Sequence, residues 1–368
     1  MDRSLTKSNN WVSIYLVSVA LGLTTLGLVM LFSAGAVRGA QALLTKQFIW
    51  LGLSIFVGIY AACMNLEWLR RRAWLLYGVS MLALALTLVP GLGVKVNGAQ
   101  RWLGLGPLRV QPSEFAKIFL VLAIAKYYSE VAYIKNNSLI KSIFPILLII
   151  VPFLLIVNQP DLGTSLLLVA IGLSIIIVSG INAWLIVIGF IFFISLIPVT
   201  WNLLHNYQKN RILTFLNPEN DPLGSGYHIA QSKIAIGSGG FTGKGYMLGS
   251  QSQLEFIPEI HTDFVFSIFS EEFGFLGSII IILLHFYLFF YGMKSSFYAD
   301  NEFDKLVVFG LTVNYFFYFL INISMVIGLV PVVGVPLPII SYGGSSMLAV
   351  VISFAIIQKI NINRKLTN

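Results

Sequence analysis

The sequence predicts an all-α polytopic membrane protein with about ten transmembrane helices. Charged residues make up 10% of the 368 residues and hydrophobic residues make up 57%, whereas a soluble domain carries about 25% charged residues. The mean hydropathy is +0.86. So few charges cannot cover a water-facing surface, and most of the exterior is therefore predicted to face lipid.

Ten apolar stretches approach the roughly 20 residues that a transmembrane helix needs. The first is too long for the apolar core of a cleaved signal peptide and has no small-residue cleavage pattern, so it is predicted to be retained. The fourth has the weakest signal, because Glu114 and Lys117 interrupt its start. The ten predicted spans are Trp11–Phe32, Phe48–Met64, Trp74–Val89, a segment within Phe115–Tyr128, Ile143–Val157, Leu162–Ser179, Ala183–Val199, and segments within Phe264–Tyr291, Leu306–Val330 and Ile339–Ile360.

The orientation of the spans follows from the lysines and arginines of the short loops, which are enriched on the cytoplasmic side. With both termini in the cytoplasm, the inside residues are Arg3, Lys7, Arg70, Arg71, Arg72, Lys126, Lys135, Lys141, Lys294, Lys305, Lys359, Arg364 and Lys365. The short outside segments then contain only Arg38, Lys46, Lys95, Arg101 and Arg109. This asymmetry predicts cytoplasmic termini, and it explains the net charge of +8 better than a nucleic-acid partner does.

Two non-membrane regions lie outside the cell in this topology, Gly91–Pro112 and residues 201–262. The second is a large extracytoplasmic loop between the seventh and eighth spans, far longer than the usual connection of about 4–6 residues. Its aromatic residues, histidines and glycine clusters indicate an ordered, functional loop. Residues 1–368 are predicted to form one membrane domain. Because Cys63 is the only cysteine, we expect no disulfide and no cysteine-based metal site.

The strongest functional candidates are polar residues at the membrane borders, where a charge is costly and therefore indicates function. Glu114 and Lys117 are three residues apart, so they share a helix face and can form an ion pair. Either the two charges only neutralise each other at the interface, or the basic group also lines a cavity for an anionic phosphate. Arg101 and Gln111 belong to the same stretch, Asn97–Lys117.

Two aspartates stand where the chain re-enters the membrane. Asp161 lies in a tight turn between two spans, and capping of the following helix is favoured over a direct chemical role. Asp263 ends the long outer loop at a water–lipid boundary. A partly buried carboxylate there can have a raised pKa, which suits a general base, and His261 could orient it or be the base itself. A helix cap made by Thr262 and Asp263 is the equal alternative.

The segment Pro331–Ser346 contains too many prolines and glycines for a continuous helix. Non-helical backbone at membrane depth needs cover from protein or a wet cavity, so a re-entrant segment beside a cavity is predicted, with Ser341 and Tyr342 as candidate contacts. The glycine-rich stretch Gly237–Gly245 is not a phosphate-binding P-loop, because Ser238 and Gly245 break the required pattern.

Four of these stretches resemble, in the same order, motifs of the SEDS proteins (shape, elongation, division and sporulation). They are Asn97–Lys117, Gln159–Thr164, His261–Phe264 and Pro331–Ser346. The predicted spans and the large outer loop also resemble that family, so the resemblance covers essentially the whole chain. Gly98–Trp102 and Val335–Pro338 are more similar to the elongation branch of the family than to its division branch.

The resemblance implies an inverting peptidoglycan glycosyltransferase of the bacterial inner membrane that polymerises lipid II, an undecaprenyl-pyrophosphate disaccharide-pentapeptide, during cell elongation. Asp263 matches the family's essential outer-loop acid, and Glu114 and Lys117 match its membrane-embedded ion pair. The resemblance also implies a class B penicillin-binding protein and other elongation-complex membrane proteins as partners. The leaving pyrophosphate needs no protonation by an acid residue if Arg101, Lys117 or a divalent cation stabilises its charge, and a divalent cation is the one candidate cofactor.

Three alternatives stay open from the sequence. A lipid-linked precursor flippase also fits charged residues and broken helices within spans, although a transport site belongs near the bilayer midplane and Asp263 lies at the outer border. The division branch of the family is the second alternative. A non-catalytic scaffold of a cell-wall complex is the third, and in it Asp263 would be dispensable.

Overall fold

The computed structural model of the chain describes residues 3–35, 40–96, 99–105, 108–131, 140–180, 184, 187, 189, 191, 195, 201–202, 206–217, 224–253 and 260–367. These residues are mostly helical, which confirms the predicted fold class. The helices are α1 (Arg3–Gly35), α2 (Ala40–Cys63), α3 (Leu66–Leu88), α4 (Pro112–Val131), α5 (Ile140–Asn158), α6 (Leu162–Val178), α7 (Asn206–Leu216), α8 (Ser225–Ser238), α9 (Ser250–Gln253), α10 (Val265–Phe297), α11 (Glu302–Val326) and α12 (Gly344–Thr367).

The chain divides into two compact units. Unit 1 comprises Met1–Ala62, Asn217–Lys294 and Tyr315–Gln358, and unit 2 comprises Cys63–Leu216, Ser295–Asn314 and Lys359–Asn368. Along the chain, the division falls within α10, α11 and α12 and one residue before the end of α2. The candidate residues predicted from the sequence are therefore distributed over both units.

The core of unit 2 is α4. Between Ala116 and Ala125, every residue except Phe119 is at most 1% exposed, as in a helix that is enclosed on all sides. Its neighbours are α3, α5 and α6. The first part of α11 also packs here, because a Cβ at Gly310 would lie only 2.6 Å from Val121 Cγ1. The fourth predicted span, which has the weakest hydropathy signal, is thus α4, the most deeply buried helix of this unit.

A small antiparallel sheet between α3 and α4 is the one departure from the all-α prediction in the described ranges. Its strands are β1 (Gly93–Val96), β2 (Ala99–Leu105) and β3 (Leu108–Val110), in that spatial order. The register between β1 and β2 shifts after Val94. The sheet lies in the region predicted to be outside the membrane, and its central strand carries Arg101.

In unit 1 the chain is irregular between α11 and α12. Gly328 and Gly334 have φ angles of +75° and +73° there, in the left-handed region that glycine tolerates best. No helix forms between Val326 and Gly344, as the density of proline and glycine predicts. A second irregularity is a break within α10 at Gly274, where φ is 63° and ψ is −161°.

The predicted spans agree in position with most of these helices. Within the described ranges, the helical segments long and apolar enough to cross a membrane are Tyr15–Gly35, Gln41–Cys63, Val265–Phe297, Glu302–Val326 and Gly344–Asn363, and shorter apolar ones are Ile143–Asn158 and Leu162–Val178. The helices α3 and α4 match the third and fourth predicted spans. The seventh, Ala183–Val199, lies largely outside the described residues, as does part of the 201–262 loop, so the count of ten and the extent of that loop stay predictions.

Candidate functional site

The predicted ion pair between Glu114 and Lys117 is present in unit 2. Lys117 Nζ donates a hydrogen bond to Glu114 Oε1 over 2.9 Å, one turn apart on the first half of α4. Lys117 is fully buried and Glu114 is 5% exposed. A pair removed so completely from water loses much of its Coulombic gain to desolvation. Its presence in the core therefore indicates a task beyond stabilising the fold.

Asp161 combines capping with an ionic contact. Its Oδ1 accepts a hydrogen bond from the Thr164 amide over 3.3 Å, which makes it the N-cap of α6 as predicted. Its Oδ2 lies 3.6 Å from Arg101 Nε and accepts a hydrogen bond of 3.5 Å from Gln111 Nε2. Arg101 also donates to the main-chain oxygens of residues 159 and 160. One carboxylate thus joins the sheet, the start of α4 and the turn before α6.

These contacts gather five of the predicted residues within unit 2. We call Arg101, Gln111, Glu114, Lys117 and Asp161 the unit 2 polar cluster. The Arg101 side chain is 22% exposed, whereas Glu114 and Lys117 on α4 are buried. The cluster therefore contains one partly accessible guanidinium and one buried ion pair, a combination suited to an anionic group such as a phosphate.

The other predicted residues lie in unit 1, around the turn Ile260–Asp263 that precedes α10. Asp263 is half-buried, and its carboxylate lies against Gly334, where a Cβ would be 3.4 Å from Asp263 Oδ2. The main-chain oxygen of Asp263 accepts a hydrogen bond of 2.8 Å from Asn322 Nδ2. The same nitrogen donates to Val335 O over 2.7 Å. A buried amide thereby holds the acid next to the irregular segment.

His261 contacts Tyr342, the residue that follows Ser341 in the chain. The Tyr342 amide donates to His261 O over 2.9 Å, and the two rings meet edge to face with centroids 5.8 Å apart. Ser341 is 4% exposed, and its Oγ accepts the Leu337 amide over 2.8 Å. Ser341 therefore closes a turn of the irregular segment, and its contact with a substrate stays a prediction.

Two features of unit 1 were not anticipated from the sequence. Asn322 is fully buried and bridges two carbonyls, although an asparagine within a predicted span was a usable signal of a hydrogen-bonded role. Glu271 is also fully buried and pairs with Lys244 over 2.6 Å. Its partner Lys244 belongs to the glycine-rich stretch Gly237–Gly245, which is not a P-loop and for which the sequence predicts no other role.

The described residues contain no group of three or more histidine, cysteine, aspartate or glutamate side chains that could hold a metal ion.

Comparison with known proteins identifies the family. A family model described as cell cycle protein, of FtsW, RodA and SpoVE, matches residues 13–366. The chain is 43% identical to the peptidoglycan glycosyltransferase MrdB of Escherichia coli over 294 residues, which are 80% of this chain and 79% of that protein. It is 35% identical to the stage V sporulation protein E of Bacillus subtilis, over 94% of this chain and 96% of the relative.

Solved structures agree in fold. One matching chain belongs to a structure described as the structural coordination of polymerization and crosslinking by a peptidoglycan synthase complex. The match has a TM-score of 0.81 at 30% identity and covers 95% of this chain and 97% of the matching chain. The crystal structure of the rod shape determining protein RodA of Thermus thermophilus matches with a TM-score of 0.71 at 28% identity, over 95% of this chain and 96% of that one. With the family model spanning nearly its whole length, the chain is a multi-pass membrane protein of the FtsW, RodA and SpoVE family of cell cycle proteins.

Proposed function

We propose that this protein is a peptidoglycan glycosyltransferase of the RodA type, which polymerises lipid II into glycan strands during cell elongation. The observation that carries the proposal is Asp263, a half-buried carboxylate held at the entrance of α10 by contacts to its own backbone. The names of its relatives support it, since MrdB of Escherichia coli and RodA of Treponema pallidum are both called peptidoglycan glycosyltransferases. The RodA relative is 28% identical over 94% of this chain.

The reaction needs one base and stabilisation of one leaving group. The acceptor sugar 4-hydroxyl attacks the anomeric carbon of the donor, a carbon–oxygen bond forms, and the bond to the pyrophosphate breaks with inversion. In our proposal, Asp263 takes the proton of the attacking hydroxyl. Because the substrate itself provides the nucleophile, a second carboxylate that attacks the sugar is not needed.

We assign the stabilisation of the pyrophosphate to basic groups. Arg101 is the accessible cation of the unit 2 polar cluster. Its Nε and Nη2 already contact Asp161 and the main-chain oxygens of residues 159 and 160, so it offers phosphate oxygens its positive charge. Lys117 adds a fixed positive charge that Glu114 holds in place. A divalent cation brought with the substrate could share this task. These roles follow from the chemistry of the groups and from the family resemblance.

The proposal includes the orientation and the surroundings of the protein. Both termini lie in the cytoplasm of a bacterial cell, and the reaction takes place on the outer face of the inner membrane. Residues 1–368 act as a single membrane domain with the extracytoplasmic loop 201–262. A class B penicillin-binding protein supplies the cross-linking activity, in line with the coordination of polymerization and crosslinking described for the solved peptidoglycan synthase complex.

The deciding experiment is polymerisation of lipid II by the purified protein, alone and with its transpeptidase partner. We expect glycan strands from the wild-type protein and none from Asp263→Ala or Asp263→Asn, because neither variant can accept the proton. Asn keeps nearly the same shape and isolates the charge. Expression and membrane insertion should be unchanged, since a border residue can be truncated without opening a core cavity.

The same assay separates the alternatives. A wild-type rate in the Asn variant would reject Asp263 as the base. Transbilayer movement of lipid II without polymerisation would favour a flippase, and full restoration of growth by the Asp263 variants would favour a scaffold. Complementation of an elongation mutant but not of a division mutant would distinguish the two branches of the family.

A further inference from the structure

The break within α10 exposes main-chain groups that a continuous helix would satisfy. In an unbroken helix, the carbonyls of Glu271 and Glu272 would accept hydrogen bonds from the amides of Phe275 and Leu276. The conformation of Gly274, with φ of 63° and ψ of −161°, prevents both bonds. At membrane depth each unsatisfied main-chain group costs several kcal/mol, so another segment must provide partners.

The glycine-rich loop Gly240–Gly245 provides a partner for each of the four groups. The bonds run from Lys244 N to Glu271 O over 3.0 Å, from Gly245 N to Glu272 O over 3.0 Å, from Phe275 N to Gly240 O over 2.9 Å, and from Leu276 N to Phe241 O over 3.1 Å. We call these four bonds the loop–helix junction. The stretch that resembles a P-loop therefore binds the protein's own helix instead of a phosphate.

The glycines of the junction permit this close approach. A Cβ at Gly243 would lie 2.6 Å from Phe273 N, and one at Gly274 would lie 2.8 Å from Phe241 O. Real Cβ atoms do not approach backbone so closely, and both residues have positive φ angles. The loop and the helix are thus in direct main-chain contact, and the junction has no room for a side chain at Gly243 or Gly274.

A buried carboxylate fixes the loop at the same place. Glu271 is fully buried, and its Oε1 lies 2.6 Å from Lys244 Nζ and 2.9 Å from Ser250 Oγ. The amide of Gln251 donates to Oε2 over 3.2 Å. Lys244 Nζ also donates to Ser250 Oγ over 2.9 Å. The side chain of Glu271 therefore contacts both the glycine-rich loop and the start of α9.

The segment Val265–Phe273 connects the junction to the proposed base. Glu271 follows Val265, the first residue of α10, by six residues, so the two lie about 9 Å apart along the helix axis, and Asp263 stands two residues before Val265. The segment is tightly packed, with Ile268 fully buried. Ser267 Oγ lies 2.7 Å from Ser232 Oγ of α8. A displacement of the segment at the junction would therefore be passed to Asp263 at its other end.

We propose that Glu271 and Lys244 are positioning residues for Asp263, acting through the loop–helix junction and the rigid segment Val265–Phe273. The inference rests on the proposed function, because it assigns to Asp263 the role of base. Glu271 itself takes no part in the proton transfer. Its task is to fix the axial position of the half-helix that directly follows the turn bearing the acid.

The physical test is hydrogen–deuterium exchange on the purified full-length protein. Glu271→Gln removes the charge from the hydrogen bonds at the junction. We expect it to speed exchange of the Val265–Leu276 amides by roughly tenfold or more, the factor that corresponds to weakening a charged hydrogen bond. Lys305→Gln is the matched control, because Lys305 pairs with Glu302 on an exposed surface, at 40% and 55% side-chain exposure. Unchanged exchange in Glu271→Gln would overturn the proposal.

The functional test is the kinetics of lipid II polymerisation per folded molecule. Glu271→Gln should lower kcat roughly 10- to 100-fold, as expected for a misplaced catalytic group, while KM stays within about twofold. The shape of the pH profile should be kept, because Asp263 still titrates as the base. Lys244→Met should reproduce the loss and Lys244→Arg should restore most of the rate, which covers the case that Glu271→Gln does not fold.

The outcomes are distinguishable. An unchanged kcat per folded Lys244→Met molecule would show that the pair only stabilises the fold, and a lost acidic limb of the pH profile in Glu271→Gln would make Glu271 itself the base. Either result overturns the positioning role. A wild-type protein that does not polymerise lipid II rejects the proposed function, whereas the exchange measurement still decides whether the junction holds the segment next to Asp263.

Discussion

Two buried charges on one helix turn pose the sharpest question at the scale of single residues. Glu114 and Lys117 are too costly to leave unpaired, so Glu114→Gln or Lys117→Met alone should strand a charge and lower the free energy of unfolding by about 3–5 kcal/mol. The double variant should regain most of that stability. We expect it to insert normally and yet to remain inactive in lipid II polymerisation, because in our proposal Lys117 also stabilises the substrate phosphate.

The matched control uses the same spacing at the surface. Glu302 and Lys305 are also three residues apart, with 3.3 Å between Nζ and Oε1, but both are largely exposed. Their double neutralisation should change stability by less than about 1 kcal/mol and leave activity intact. Activity in the Glu114→Gln, Lys117→Met double variant would show that the buried pair has only a structural role.

Residue-level interactions were predictable where they are local in sequence. The Glu114–Lys117 pair and the cap made by Asp161 follow from spacings of three residues, which fix proximity in a helix. The contact between Arg101 and Asp161 spans sixty residues, and no periodicity encodes such a distance. The buried Glu271 was likewise visible as an acid in a span, but its partner Lys244 could not be inferred without the loop conformation.

Among the structural elements, the loop–helix junction makes a ranked prediction about glycines. Gly243→Ala places a Cβ 2.6 Å from Phe273 N at a φ of +86°, so it should lower the unfolding midpoint and the yield of folded protein most. Gly240→Ala has a φ of +56° but open space around the new Cβ, so it should cost only about 1–2 kcal/mol of backbone strain. Thermal unfolding in detergent measures the difference.

Gly237→Ala completes this series as the control. It lies in α8 with open space around the position of a Cβ, and alanine favours a helix over glycine by up to about 1 kcal/mol. Its stability should therefore equal or exceed that of the wild-type protein. Equal losses at positions 240 and 243 would mean that φ alone, and not contact with α10, explains the requirement for glycine.

Elements were predicted well where hydrophobicity is continuous and poorly where it is interrupted. The spans and the irregular Pro331–Ser346 segment follow from composition. The small sheet was missed, although Asn97-Gly98 between two short β-prone stretches is a hairpin signal. The break at Gly274 escaped notice because one glycine in a long apolar run does not by itself end a helix.

On the scale of the whole molecule, the topology can be tested with single cysteines. Cys63 is the only natural cysteine and is exposed, so Cys63→Ala provides the background. Lys95→Cys, in the sheet region, should react with a membrane-impermeant maleimide added to spheroplasts. Arg71→Cys, at a position with 77% side-chain exposure in α3, should react only after permeabilisation. Labelling of Arg71→Cys in intact spheroplasts would reverse the predicted orientation.

The burial of α4 has a consequence for biogenesis. A helix that enters the bilayer during synthesis first meets lipid. Charged residues within a span oppose insertion, by about 2.5–3.5 kcal/mol each at the helix centre and by less near its ends, where Glu114 and Lys117 lie. Two of the neighbours that cover α4, namely α5 and α6, emerge from the ribosome only after it. Integration of α4 should therefore be delayed until they arrive, so that a cysteine placed within α4 stays accessible to a water-soluble maleimide in a nascent chain truncated after Val131 and is protected in one extended through Val178.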